Sequence, residues 1–131
     1  MLERLGNLEN NLALLNEIKR QKSVEKIQQD KFDEWALRYG LFESIQIVID
    51  SACRIVGKYN LGPTKTYAEC IDKLARHDYL DAETARRLIA AIGLRNLLIH
   101  EYARIDPAKL YGYLDYLEDF KTFIRKIRPY I

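Results

Sequence analysis

Leu2, Leu5, Leu8, Leu12, Leu15 and Ile18 recur at steps of three and four, while Glu3, Arg4, Glu9, Glu17 and Lys19 fall mostly between them. That spacing matches the turn of an α-helix and lays the apolar residues along one stripe. It predicts a first helix ending near Arg20 to Lys22. Ser23 can cap a short turn running through Gln29, although Lys26 stands where a capping box would want glutamate. A longer helix is predicted from Lys31 or Asp33 to Lys58, with Trp35, Phe42, Ile45, Ile49, Ala52, Cys53 and Val56 on its apolar side. Asn60-Leu61-Gly62-Pro63 stops it, because glycine accepts the left-handed cap and proline cannot continue the hydrogen-bond ladder.

Thr66 and Glu69 have the spacing of a capping box, so a short helix is predicted there, with Tyr67, Cys70, Ile71 and Leu74 inward and an end around Arg76 to Asp78. Asp81 can cap the next helix, whose stripe Ala85, Leu88, Ile92, Arg95, Ile99 runs to Tyr102. Asp106-Pro107 gives another start, aspartate as cap and proline at the first helical position. Leu110, Tyr113, Leu114, Leu117, Phe120, Ile124 and Ile127 then face inward until Pro129 closes the helix. No run alternates with strand period for long enough to build a sheet. The economical packing is an all-α, up-and-down four-helix bundle with an additional short helix, formed by residues 1–131 as one domain.

Composition narrows the function classes. The 21 basic and 19 acidic side chains leave a formal charge of +2, too small to hold nucleic acid through bulk charge, so such binding would need a local patch. Lys121, Arg125, Lys126 and Arg128 form one cationic cluster, whose first explanation is the carbonyl end of a helix dipole and whose second is phosphate binding. The two cysteines, Cys53 and Cys70, lie in apolar helical surroundings, where a buried thiol is the default. The start MLERLGNLENN lacks a signal-peptide core, and the apolar tracts are broken by Glu43, Asp50 and Arg54 before they reach the length of a membrane span. A cytoplasmic protein without membrane contact is the expectation.

Several kinds of chemistry lack their residues. Gly57-Lys58-Tyr59 fails as a phosphate loop, since Ala52 stands at the place of the first glycine and Tyr59 replaces Ser or Thr. His77 and His100 are the only histidines, on different helices and without a cysteine or second histidine at ligand spacing, so neither a dedicated metal site nor a cofactor is expected. What remains is Arg95-Asn96-Leu97-Leu98-Ile99-His100-Glu101-Tyr102. At about 100° per residue, Asn96 and His100 stack one turn apart, while Arg95 and Tyr102 share a neighbouring face. On spacing alone, a core histidine with a snorkelling arginine explains these residues as well as a charged cleft does.

This segment resembles the Arg-x4-His-x-Tyr signature of the HEPN superfamily, with a polar residue after the arginine. FESIQIVIDSACRIVG, GPTKTYAECIDKLA and ARIDPAKLYGYLDYLEDF resemble its HepT-like branch, and the likeness covers roughly residues 23 to 127. The resemblance implies a HEPN-like helical homodimer acting as a metal-independent endoribonuclease. It further implies a toxin of a type VII-like toxin-antitoxin pair, with a cognate minimal nucleotidyltransferase as antitoxin. In that picture Arg95 stabilises charge on the phosphoryl oxygens of RNA, His100 moves protons, and Asn96 orients His100 or the phosphate. Tyr102 stands where this branch carries adenylate groups that silence the toxin. The competing expectation is a non-catalytic dimeric adaptor that binds the nucleotidyltransferase or a nucleotide through the same polar groups.

Overall fold

The computed structural model describes residues 1–100 and 105–131. Tyr102 and Glu101 lie outside the described residues. Seven α-helices and two 3₁₀ turns are described: α1 (Leu2–Gln21), α2 (Val24–Gln29), α3 (Lys31–Lys58), α4 (Tyr67–Arg76), α5 (Ala82–His100), α6 (Pro107–Gly112), a 3₁₀ turn (Tyr113–Tyr116), α7 (Leu117–Ile127) and a last turn (Arg128–Tyr130). No strand occurs among the described residues. Helix α1 packs on α3, α3 on α5, α5 on α7 and α7 back on α1, which closes a four-helix ring; α4 covers α3 and α5 from one side. None of the described helices is long and apolar enough to cross a membrane.

The leucine stripe of α1 enters the core as the spacing predicts: Leu5, Leu8, Leu12 and Leu15 are buried. Gly40 lets α1 come close to α3, since a Cβ there would sit 2.8 Å from the buried Leu15 Cδ2. The caps also follow the sequence. Ser23 Oγ accepts from Lys26 N at 3.2 Å, Asp81 from Thr84 at 2.9 Å and Asp106 from Ala108 at 2.9 Å, while α3 is capped by Asp30, a residue not expected as a cap, which accepts from the amides of Phe32 and Asp33. The hydrogen bonds to Thr84 hold the Asp81 carboxyl below its ordinary range. At α4 the box is looser than the motif: Thr66 Oγ1 accepts from Glu69 N at 3.2 Å, but Glu69 Oε2 accepts from Lys65 N, one residue before the cap.

Besides the inward placement of Tyr67, which is 46% exposed, four expectations need correction. The left-handed residue that ends α3 is Asn60 (φ 57°), with Leu61 N bonded to Val56 O at 3.0 Å; Gly62 (φ 115°) bends the loop two residues later. Trp35 is 70% exposed, because it lies about 200° around the helix from the buried Leu37, on the side away from the core. The last helix is divided into α6, a 3₁₀ turn and α7. Gly112 weakens the ladder there, and the Tyr111 hydroxyl donates to Lys22 O at 2.6 Å, tying this stretch to the end of α1.

Cys53 and Cys70 are the fourth case. They are paired as a disulfide that joins α3 to α4, with Cα atoms 5.1 Å apart and 17 residues of sequence separation, and no free cysteine is present. Each sits in the apolar setting expected of a buried thiol; what spacing along the chain could not reveal is that the two helix faces meet. A crosslink of this loop length is worth about 3 kcal/mol through restriction of the unfolded chain. Protein purified without reductant should therefore show no thiol titre when unfolded in guanidinium. Dithiothreitol, or Cys53→Ser with Cys70→Ser, should lower its unfolding free energy by roughly that amount. Two titratable thiols together with an unchanged unfolding curve would contradict the pairing.

Candidate active site

Helix α5 has an inward face made by Thr84, Ala85, Leu88, Ala91, Ile92, Leu94 and Leu98, all buried. Around it, Ala90, Gly93, Asn96, Leu97 and His100 are exposed, and Arg95 is half-buried between the two sides. Leu97 is 48% exposed, an apolar side chain turned to solvent beside two polar ones. Helical periodicity produces this division directly, since Gly93, Asn96, Leu97 and His100 recur at steps of three and four.

The Arg95 side chain turns towards α3. Its Nε donates to Gln46 Oε1 at 3.0 Å, and Nη1 donates to Asn96 Oδ1 at 3.0 Å. Two rings flank the guanidinium, with its carbon 5.2 Å from the centroid of Tyr67 and 5.9 Å from that of Phe42. Both lie within cation-π range. Gln46 in turn donates through Nε2 to Asp50 Oδ1 at 2.9 Å, and Asp50 pairs with Arg4 of α1. A chain of polar contacts thus runs from α1 through α3 to the arginine.

Of the sequence-derived site residues, Arg95 and Asn96 are in direct contact, while His100 lies exposed one turn further along α5. Among the described residues no hydrogen bond joins His100 to either. Asn96 engages the arginine through its Oδ1. Tyr102 lies outside the described residues. Gln46, Phe42 and Tyr67 were not singled out as site residues in the sequence. Their signal was available only in part: Phe42, Gln46 and Asp50 follow one another at steps of four along α3, so they share a face. Tyr67, expected inward, is 46% exposed and presents its ring to Arg95.

Beside this cluster lies a cavity of about 480 Å³ bordered by Thr64, Lys65, Thr66, Tyr67 and Asn96, with the Cys53–Cys70 pair in its lining. Hydroxyls, an ammonium and an amide surround it, a donor set able to meet a ribose or a phosphate. The C-terminal cations provide less. Lys121 pairs with Glu118 at 3.3 Å and Arg128 with Glu9 at 2.5 Å, so half of that cluster is engaged by carboxylates. Among the described residues, no group of three or more His, Cys, Asp or Glu is placed to hold a metal ion.

Comparison with known proteins places this geometry. A protein of Aphanizomenon flos-aquae (strain 2012/KM1/D3) named tRNA nuclease HepT is 29% identical over 116 residues, which cover 84% of this chain and 79% of that protein. The fold matches the tri-AMPylated Shewanella oneidensis HEPN toxin, solved in complex with its MNT antitoxin, with a TM-score of 0.88 at 20% identity, covering 98% of this chain and 96% of that one. It also matches YutE, a cytosolic protein of unknown function from Bacillus subtilis, with a TM-score of 0.85 at 22% identity, covering 98% and 85%. The family described as Ribonuclease HepT-like matches residues 8–127, from the second turn of α1 to the end of α7. With the bundle and the whole Arg95 to His100 segment inside that match, the chain belongs to the Ribonuclease HepT-like family.

Proposed function

We propose that the protein is a metal-independent endoribonuclease of toxin type that cuts tRNA in a cleft shared by two copies of the chain. In this reading a cognate minimal nucleotidyltransferase silences it by adenylylation of Tyr102. The observation that carries the reading is the Arg95 guanidinium, held by neutral groups and aromatic faces on α5, five residues before the exposed His100. An arginine held in this way keeps its charge for a phosphate. The family supports RNA as substrate, and the name of the 29% identical relative supports tRNA.

The reaction is an in-line transesterification. The ribose 2′-oxygen forms a bond to the adjacent phosphorus as the bond from phosphorus to the 5′-oxygen breaks, leaving a 2′,3′-cyclic phosphate and a 5′-hydroxyl. One proton leaves the 2′-hydroxyl and one must reach the departing 5′-oxygen. A histidine imidazole can perform either transfer near neutral pH. Two copies of His100, one from each chain, divide the two tasks, while Arg95 stabilises charge on the phosphoryl oxygens. The exposed Leu97 between Asn96 and His100, with Gly93 a turn earlier leaving room for close approach, supports α5 as the meeting face of the two copies.

The adaptor alternative is favoured by one observation, the net charge of +2. It requires that purified protein leave tRNA intact while still binding nucleotide or the nucleotidyltransferase.

Purified dimer should cleave tRNA in excess EDTA. His100→Ala and Arg95→Ala should each lower the rate by about 10²- to 10⁴-fold without changing the sedimentation coefficient, and should relieve growth arrest on expression. Equal cleavage by the variants would remove both residues from the mechanism. Co-expression with the nucleotidyltransferase should add whole adenylate units, read by intact-protein mass spectrometry, and abolish cleavage, because the added phosphates compete for Arg95. Tyr102→Phe should block the mass gain; modification mapped elsewhere would refute that assignment.

A further inference from the structure

We infer that Gln46 is the positioning residue of the arginine, and that Asp50, held by Arg4, fixes which way the Gln46 amide points. The inference rests on the catalytic reading of Arg95 and adds how that side chain is aimed. Gln46 sits between two partners with opposite needs. Arg95 Nε can only donate, and the Asp50 carboxylate can only accept. The amide satisfies both in one orientation alone, with Oε1 towards Arg95 at 3.0 Å and Nε2 towards Asp50 at 2.9 Å. A flipped amide would set donor against donor and acceptor against acceptor.

The choice of an amide matters for the chemistry. A carboxylate at position 46 would grip the guanidinium more strongly, but it would cancel the charge that a phosphoryl oxygen needs. Glutamine holds Nε without neutralising it. Asp50 supplies the fixing charge one residue further away, and its own charge is met by Arg4. With Nε on Gln46 and Nη1 on Asn96, the plane of the guanidinium is set by two hydrogen bonds and by the Tyr67 and Phe42 rings. An arginine fixed in plane loses little freedom on meeting phosphate, and misplacement of such a group by about 1 Å can cost on the order of 10²-fold in rate.

The test is a double-mutant cycle on tRNA cleavage with Gln46→Leu and Arg95→Lys, supported by the ¹⁵N-¹H signal of Arg95 Nε in the intact protein. Gln46→Leu should fold with an unchanged dimer, lower kcat about 10-fold with KM altered less than about 3-fold, and broaden or lose the Arg95 Nε signal. In the Arg95→Lys background, where no Nε–H remains to be aimed, the same substitution should change kcat less than about 2-fold. Equal losses in both backgrounds would show that Gln46 acts through general stability and would overturn the inference. So would an unchanged kcat in Gln46→Leu while Arg95→Lys is impaired, an outcome that leaves the catalytic reading standing. Wild-type cleavage by Arg95→Lys would overturn the reading of Arg95 and this inference together.

Discussion

A guanidinium that leaves a helix towards a neighbouring helix has to be satisfied without being neutralised if it is to serve a ligand. Arg95 meets that constraint through two amide oxygens and two ring faces, with no carboxylate in direct hydrogen bond among the described residues. Elsewhere in the chain, several arginines pair with carboxylates. Arg87 donates through Nε to both oxygens of the buried Asp119, and Arg38 reaches Glu34. Those pairs anchor helices to one another or to themselves, and their charge is consumed in doing so. Among the described residues, the contrast separates arginines bonded to carboxylates from one bonded to neutral amides, the arrangement that the proposed function needs.

The rest of the bundle can be understood from what this cluster requires. Helix α3 must present Phe42, Gln46 and Asp50 on one stripe while burying Ile45, Val48, Ile49 and Ala52 on the next, and its 28 residues are long enough to do both. Helix α4 must bring Tyr67 over the guanidinium. A helix of 10 residues is short to hold its place by propensity alone. It is fixed by Ile71 and Leu74 in the core and by Cys70 bonded to Cys53, one turn from Tyr67. The same pair lines the cavity that borders Asn96, so the staple and the site share a wall.

Most of the fold was legible because it is local. Most apolar steps of three and four, the caps at Asp81 and Asp106, and the position of the stop after Lys58 depend on residues within one turn of each other and read correctly, although the left-handed residue of that stop is Asn60 and not the glycine. The family likeness was legible over roughly residues 23 to 127, and the family match extends it to residue 8, into the leucine stripe of α1. What could not be read depends on which faces meet. Cys53 and Cys70 fit the pattern of two buried thiols until α3 and α4 are laid side by side. Trp35 and Tyr67 were expected inward because an aromatic ring near an apolar stripe is usually buried, but helix rotation puts the first in solvent and the second over a cation. Arg95 was found through its motif; Gln46, 49 residues away in sequence, becomes a neighbour only after folding.

One copy of the bundle presents one imidazole at the end of α5, whereas the proposed reaction moves two protons at two oxygens on opposite sides of phosphorus. A single histidine would have to act from both sides of the in-line geometry or leave one transfer to water. Symmetry answers this at little structural cost. In the proposed dimer, a two-fold axis beside Leu97 and Gly93 would cover the exposed apolar side chain and bring the second His100 to face the first. That axis would also place two copies of Arg95 along one cleft and concentrate positive potential where the chain's overall charge of +2 supplies almost none. The modest net charge and the proposed phosphate-binding role are therefore compatible: in the proposed dimer the attraction would come from arranging two guanidinium charges at one place, and the rest of the surface need not be basic.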